Sequence, residues 1–234
     1  MMLRFADHIF DADGTLFDTL PNMLKSTFYA FKKVGVAVDP KMINKAMVRP
    51  RLRQMLDGVV PDLPKEKMDD VIDVYIKYEK SLIEEGCPFF PGVKEYLHKL
   101  KAAGKRLYIA TARGYPSMLN ILEKSGEKEI FDLVFAPDMH SSKNKILKPE
   151  LVQMMIEQKN MACLKTIFYG DTLTDMEAAK KNGIKSVAAL YGYENETGKL
   201  CEAADYHAKT PHQLSNPCPR LEKGCIAQNY FFDR

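Results

Sequence analysis

The segment HIFDADGTLFDTLPN, residues 8–22, places three aspartates within eight positions, directly behind a short apolar run. Carboxylates that crowded repel one another unless a cation sits among them. Other polar groups follow β-rich runs in the same way. RLYIA precedes Thr111, TIFYG precedes Asp171 with Asp175 just beyond, and NKILKP supplies Lys148. If these runs are strands of one parallel sheet, their carboxyl ends share an edge, which is where such sheets bind ligands. Four segments then bring together two carboxylate pairs, Asp11 with Asp13 and Asp171 with Asp175, a hydroxyl and an ammonium. The acids require a divalent cation, and an oxygen-only ligand set suits Mg²⁺.

The elements that must position these groups follow from periodicity. Leu3, Phe5, Ile9 and Phe10 predict a first strand ending at the aspartates. Leu20, Leu24, Phe28 and Phe31 then recur at helical spacing, with Gly35 as a stop. A less regular helical stretch covers 41–57, and another helix runs from about Pro64 to Glu85 and ends at Gly86. Beyond CPFFPGV, helices and β-rich runs alternate: a helix from Val93 to Gly104, RLYIAT, a helix through Leu119 and Leu122, DLVFA, a helix over 150–159, TIFYG, a helix over 174–182, and SVAAL. Alternation of this kind predicts an α/β fold, a Rossmann-like parallel sheet with helices on both faces. The first strand must join that sheet to be buried. Residues 1–17 and 86–214 thus form the catalytic core, 18–85 an inserted all-helical cap domain, and 215–234 a tail without periodicity.

Composition narrows the function classes. The 234 residues are 46% hydrophobic and carry a formal net charge of +3, too mild for a dedicated nucleic-acid binder. No run approaches the ~20 apolar residues of a membrane span, and the N-terminus does not read as a secretory signal. Five scattered cysteines, with Cys218 and Cys225 lacking a second pair at metal-site spacing, fit a reducing cytoplasm. Neither nucleic acid nor membrane is an expected partner.

DADGTLFDT, ATAR, KP and GDTLTD, in that order, resemble the four motifs of the haloacid-dehalogenase-like hydrolases. DTLPNMLKSTFYAFKKVGV and FFPGVKEYLHKLKAAG are similar to the cap entry and exit of the phosphoglycolate-phosphatase-like branch. The resemblance implies an Mg²⁺-dependent phosphatase whose partner is a small phosphate ester, phosphoglycolate-like by family default, and in which Asp11 attacks phosphorus and forms an aspartyl-phosphate. Asp13 would protonate the leaving alcohol and then assist water. Asp11, Asp13 (through its backbone carbonyl), Asp171 and Asp175 form the implied metal site. Gly14, Thr15, Thr111, Ala112 and Lys148 form the implied phosphate site, Gly14 permitting a turn that aims backbone N–H groups at phosphate.

Several positions carry a second reading. Asp171 is either a metal ligand or a cap of the helix that follows. Asp175 either binds metal directly or orients Lys148. Lys143 and Lys145 compete with Lys148, which the following Pro149 favours. Asp18 is read as structural, at the cap hinge. Arg49, Arg51 and Arg53 in the cap either meet a second anionic group of the substrate or form a solvated face. Ala112 and Arg113 stand where many relatives carry Asn and Lys, so the second motif is altered. Other activities considered are a sugar phosphomutase, a dehalogenase, disfavoured by Asp13, and a non-catalytic phospho-receiver, which needs neither Asp13 nor a cap.

Overall fold

A computed structural model describes residues 2–49, 51–139 and 146–220. Strands β1 (Asp7–Phe10), β2 (Arg106–Ala110), β3 (Leu133–Phe135), β4 (Thr166–Gly170), β5 (Lys185–Ala189), β6 (Tyr206–Ala208) and β7 (Cys218–Pro219) form one sheet in the order β3-β2-β1-β4-β5-β6-β7. All neighbouring pairs are parallel except β6–β7, which is antiparallel. β1 and β4 are central and buried along their whole length.

Alternation along the strands sorts the two faces. Phe10, Ile109 and Tyr169 point toward α4 (Val93–Ala102) and α5 (Tyr115–Ser125), joining Leu97, Leu100, Met118 and Leu122 in one core. Ile9, Tyr108 and Phe168 point the other way. They meet Leu151, Val152 and Met155 of α6 (Lys148–Gln158) and Ala178 and Ala179 of α7 (Leu173–Lys181). A further helix, α8 (Thr197–Ala203), precedes β6. The expected fold class is the one observed.

Between β1 and α4 lies the helical insertion: α1 (Leu20–Lys33), α2 (Leu52–Val59) and α3 (Lys65–Glu85). It has its own apolar centre, built from Phe31, Met55, Leu56, Met68, Val71 and Tyr75 among others. Its two connecting segments run side by side. Asp18 donates its backbone N–H to Pro88, Phe17 and Phe89 form an antiparallel bridge, and their rings lie 4.1 Å apart.

The structure differs from the sequence reading in places. Residues 2–4 are a 3₁₀ turn, and β1 begins only at Asp7. The stretch 41–57 divides into two 3₁₀ turns and α2, because Asp39 and Asn44 cap short turns with their side chains and interrupt a continuous helix. The aperiodic tail contributes a strand, β7, while 221–234 lie outside the described residues.

Candidate active site

β1 extends past its last paired residue when Asp11 N–H donates to Tyr169 at 2.8 Å, which fixes Asp11 at the carboxyl end of the sheet. The chain then turns tightly, Leu16 and Phe17 both donating to the carbonyl of Ala12. Gly14 makes this possible. Its φ is +80°, and a Cβ there would collide with the Asp171 carboxylate. Gly192 is constrained by close approach, since a Cβ on it would strike Asp171 and the Gly14 carbonyl.

Asp171 follows β4 and is fully buried. Its carboxylate accepts from the Tyr193 N–H at 2.7 Å and from Thr15 Oγ1 at 3.2 Å. It does not cap α7. Thr172 does, with Asp175 accepting from the Thr172 N–H at 2.9 Å and hydroxyl at 2.7 Å. The other Asp175 oxygen meets Lys148 Nζ at 2.5 Å, and the same ammonium lies 2.9 Å from Asp11. Lys148 reaches both because it opens α6, with Pro149 next in the first turn. Lys143 and Lys145 lie outside the described residues.

Asp11, Asp171 and Asp175 each bring a carboxylate oxygen within 4.8 Å of the others. Three carboxylates facing one ammonium leave two negative charges unbalanced. Burial pushes the Asp11 carboxyl up to about 7 despite Lys148, and burial together with Asp11 and Asp175 drives Asp171 well above the ordinary range. Lys148 is held protonated because Asp11 and Asp175 outweigh its own burial. An all-oxygen donor set with a twofold charge deficit fits a hard divalent cation.

Asp13 has a different environment. Arg113 forks onto it, Nε at 3.0 Å and Nη2 at 2.9 Å, and also donates to Glu79 of α3 at 3.1 Å and to Ser117 at 2.9 Å. Burial alone would raise the Asp13 carboxyl, but the guanidinium overcomes it and holds the group below its usual range. Thr111 is buried and accepts from the Arg113 N–H at 3.1 Å, which leaves its hydroxyl proton available to donate. Ala112 is exposed between them.

Residues 8–189 match the family profile described as haloacid dehalogenase-like hydrolase. The chain belongs to the haloacid dehalogenase-like hydrolases. A phosphoglycolate phosphatase of Salmonella typhi is 30% identical over 206 residues, covering 79% of this chain and 81% of that protein. Among solved structures, a haloacid dehalogenase-like hydrolase from Streptococcus pneumoniae superposes with TM-score 0.77 at 25% identity, over 92% of this chain and 98% of the other. A beta-phosphoglucomutase from Clostridium difficile has the same fold, with TM-score 0.69 at 21% identity and coverage of 90% and 93%. Within the haloacid dehalogenase-like hydrolases the chain falls in the phosphoglycolate-phosphatase-like branch, and it is a phosphatase.

The motif residues of this hydrolase therefore meet at one sheet edge. The polar contacts of Arg49 and Arg53 lie within the insertion. Arg49 binds the carbonyls of Ala46 and Val48 at 2.7 Å, Arg53 pairs with Asp69, and Arg51 is an exposed residue at the start of α2. Sequence reasoning missed Arg113, Glu79 and Tyr193 as parts of the site. Arg113 was visible only as a departure from the pattern. The sole signal for Glu79 was its helical spacing one turn after the buried Tyr75. Tyr193 gave no signal, since it acts on Asp171 through a backbone N–H.

Proposed function

We infer that the protein hydrolyses a small phosphomonoester through an aspartyl-phosphate on Asp11, with Mg²⁺ as its metal. The observation that carries this reading is Asp11 itself, set at the end of β1 between the Lys148 ammonium and the buried carboxylates of Asp171 and Asp175. Asp11, the backbone carbonyl of Asp13, Asp171 and Asp175 would hold the ion. Bound there, it offsets repulsion of about 4 kcal/mol per charge pair at about 4 Å between carboxylate and phosphate.

An Asp11 oxygen attacks phosphorus, the ester P–O bond breaks, and the departing oxygen takes a proton from Asp13. The charge of the bound phosphate lets Asp13 take up that proton, although Arg113 holds the free carboxyl ionised. Water then attacks phosphorus and gives its proton to Asp13, and the bond to Asp11 breaks to release phosphate. Lys148 and the Thr111 hydroxyl steady the phosphoryl oxygens, and the Ala112 N–H adds a donor, whereas the N–H groups of Gly14 and Thr15, expected to face phosphate, donate inside the turn to Phe17 and Ala12. The cap, residues 18–85, excludes water and meets the rest of the substrate. A phosphoglycolate-like metabolite is the first substrate to test, by likeness to the relatives of that name. With no apolar membrane-crossing helix among the described residues and free thiols at Cys87, Cys163 and Cys218, the proposed compartment is the cytoplasm.

A panel of phosphomonoesters assayed with Mg²⁺ tests this reading. Phosphate is released, a chelator stops it, and Asp11→Asn abolishes it while leaving the circular dichroism unchanged. Turnover that persists in Asp11→Asn would exclude the covalent route, and an isomeric sugar phosphate in place of free phosphate would make the enzyme a mutase.

A further inference from the structure

Arg113 sits on the loop between β2 and α5, and its donors are divided among the sheet, α5 and the insertion. The fork onto Asp13 uses Nε and Nη2, the bond to Ser117 uses Nη1, and Nη2 also donates to Glu79 of α3. The three charged side chains are largely enclosed, with 7% of Arg113, 19% of Asp13 and 14% of Glu79 exposed. The Tyr75 hydroxyl, one turn back on α3, donates to the same Glu79 oxygen at 3.4 Å. Further along, Glu84 of α3 accepts from Asn120 at 2.9 Å and pairs with Lys124 at 2.9 Å, so α3 is tied along the face of α5. The Glu84 ties are exposed. The Arg113 tie is enclosed and ends on the acid–base group.

A planar guanidinium can hold one carboxylate in a fork while donating to a second, whereas an ammonium cannot fix both orientations. The Asp13 carboxylate turns about a soft terminal torsion. Its plane is set by Arg113 together with the Thr19 hydroxyl, and Arg113 is set in turn by Ser117 of α5 and Glu79 of α3.

We propose that Arg113 is a positioning residue whose hold on the Asp13 carboxylate is completed by Glu79 of α3, so that cap placement is transmitted to the acid–base group. This rests on the phosphatase reading, which gives Asp13 its role. An open cap withdraws Glu79 and leaves Ser117 as the remaining side-chain anchor of the fork. A seated cap restores the second anchor, and Asp13 is then held as the carboxylate that takes the proton from the attacking water.

Two measurements test the coupling. With Mg²⁺ and an aryl phosphate, Glu79→Gln lowers kcat by about tenfold or more while KM stays within about twofold, because the phosphate clamp is untouched. The same substitution made in an Arg113→Met or Asp13→Asn background changes kcat by less than about twofold, since its effect passes through those residues. Independently of activity, Arg113→Met accelerates amide hydrogen exchange in α3 around Glu79 and leaves β1 and β4 unchanged. Equal losses in every background, a loss confined to KM, or unchanged exchange in α3 would each overturn the proposal. A wild-type chain inactive on all phosphomonoesters would overturn it together with the phosphatase reading. Unchanged exchange beside normal wild-type activity would overturn it alone.

Discussion

Asp11 is a buried acid asked to be an anion, and its surroundings oppose that. Burial raises its carboxyl from the usual 3.8 to about 7, and Asp171 moves in the same direction. A native state that keeps a proton the unfolded chain has lost becomes less stable as pH rises. Without metal, the melting temperature should therefore fall between about pH 4 and about pH 7, and Asp11→Asn should flatten that slope. The proposed Mg²⁺ would bind the ionised acids, so it should raise the melting temperature at about pH 8 more than at about pH 5. Thermal melts across pH, with and without Mg²⁺, check this, and melts indifferent to both would remove the metal site. At this scale the placing of Asp11, Thr111 and Asp171 at one sheet edge was legible because each directly follows a β-rich run, and the choice of Lys148 because Pro149 follows it. The sequence could not reveal Glu79, whose charge on a helix otherwise looks like a solvated face, or the choice of Arg113 as its partner. Such pairings depend on how two elements dock, which no local pattern encodes.

Tyr193 shows how an element end depends on a distant side chain. Thr19 offers α1 no side-chain cap, and the Leu20 N–H donates instead to the Tyr193 hydroxyl at 2.8 Å. The same hydroxyl lies 3.3 Å from Thr19 Oγ1 and from Asp18 Oδ1. The structural role expected of Asp18 at the hinge has these contacts as its support. Tyr193→Phe keeps the ring but leaves the Leu20 N–H without its acceptor, and should cost about 1–2 kcal/mol. Calorimetry should show the melting temperature lower by several degrees, and an unchanged value would mean that another group caps α1. Long periodic elements such as α1 and α3 were legible, as were β2 and β4, from β-branched and aromatic content. β6, β7 and α8 were not, because two to seven residues are too few to display a period.

At the scale of the whole molecule, the insertion has an apolar centre of its own beside those on the two faces of the sheet, and α3 reaches from it to α5. Leu56 is fully buried in the insertion's own core and does not belong to those of the sheet. Leu56→Ala should cost about 2–5 kcal/mol, and the loss should be confined to the insertion. Limited proteolysis should then cut α1–α3 while the sheet and its helices survive. Simultaneous loss of both parts would show a single cooperative unit. The fold class was legible because alternating strands and helices allow few arrangements, whereas the partners of the cap arginines, Ala46 and Val48 for Arg49 and Asp69 for Arg53, were not. The sheet also ends in a way that matters to anyone handling the protein. Its outer strands are short, β3 with three residues and β7 with two, and β7 includes Pro219, which has no N–H to offer a neighbour. β7 is a shutter on β6. A chain cut before Cys218 would bare the edge at Tyr206–Ala208, the kind of surface on which molecules stack into aggregates, so truncations and fusions belong beyond it.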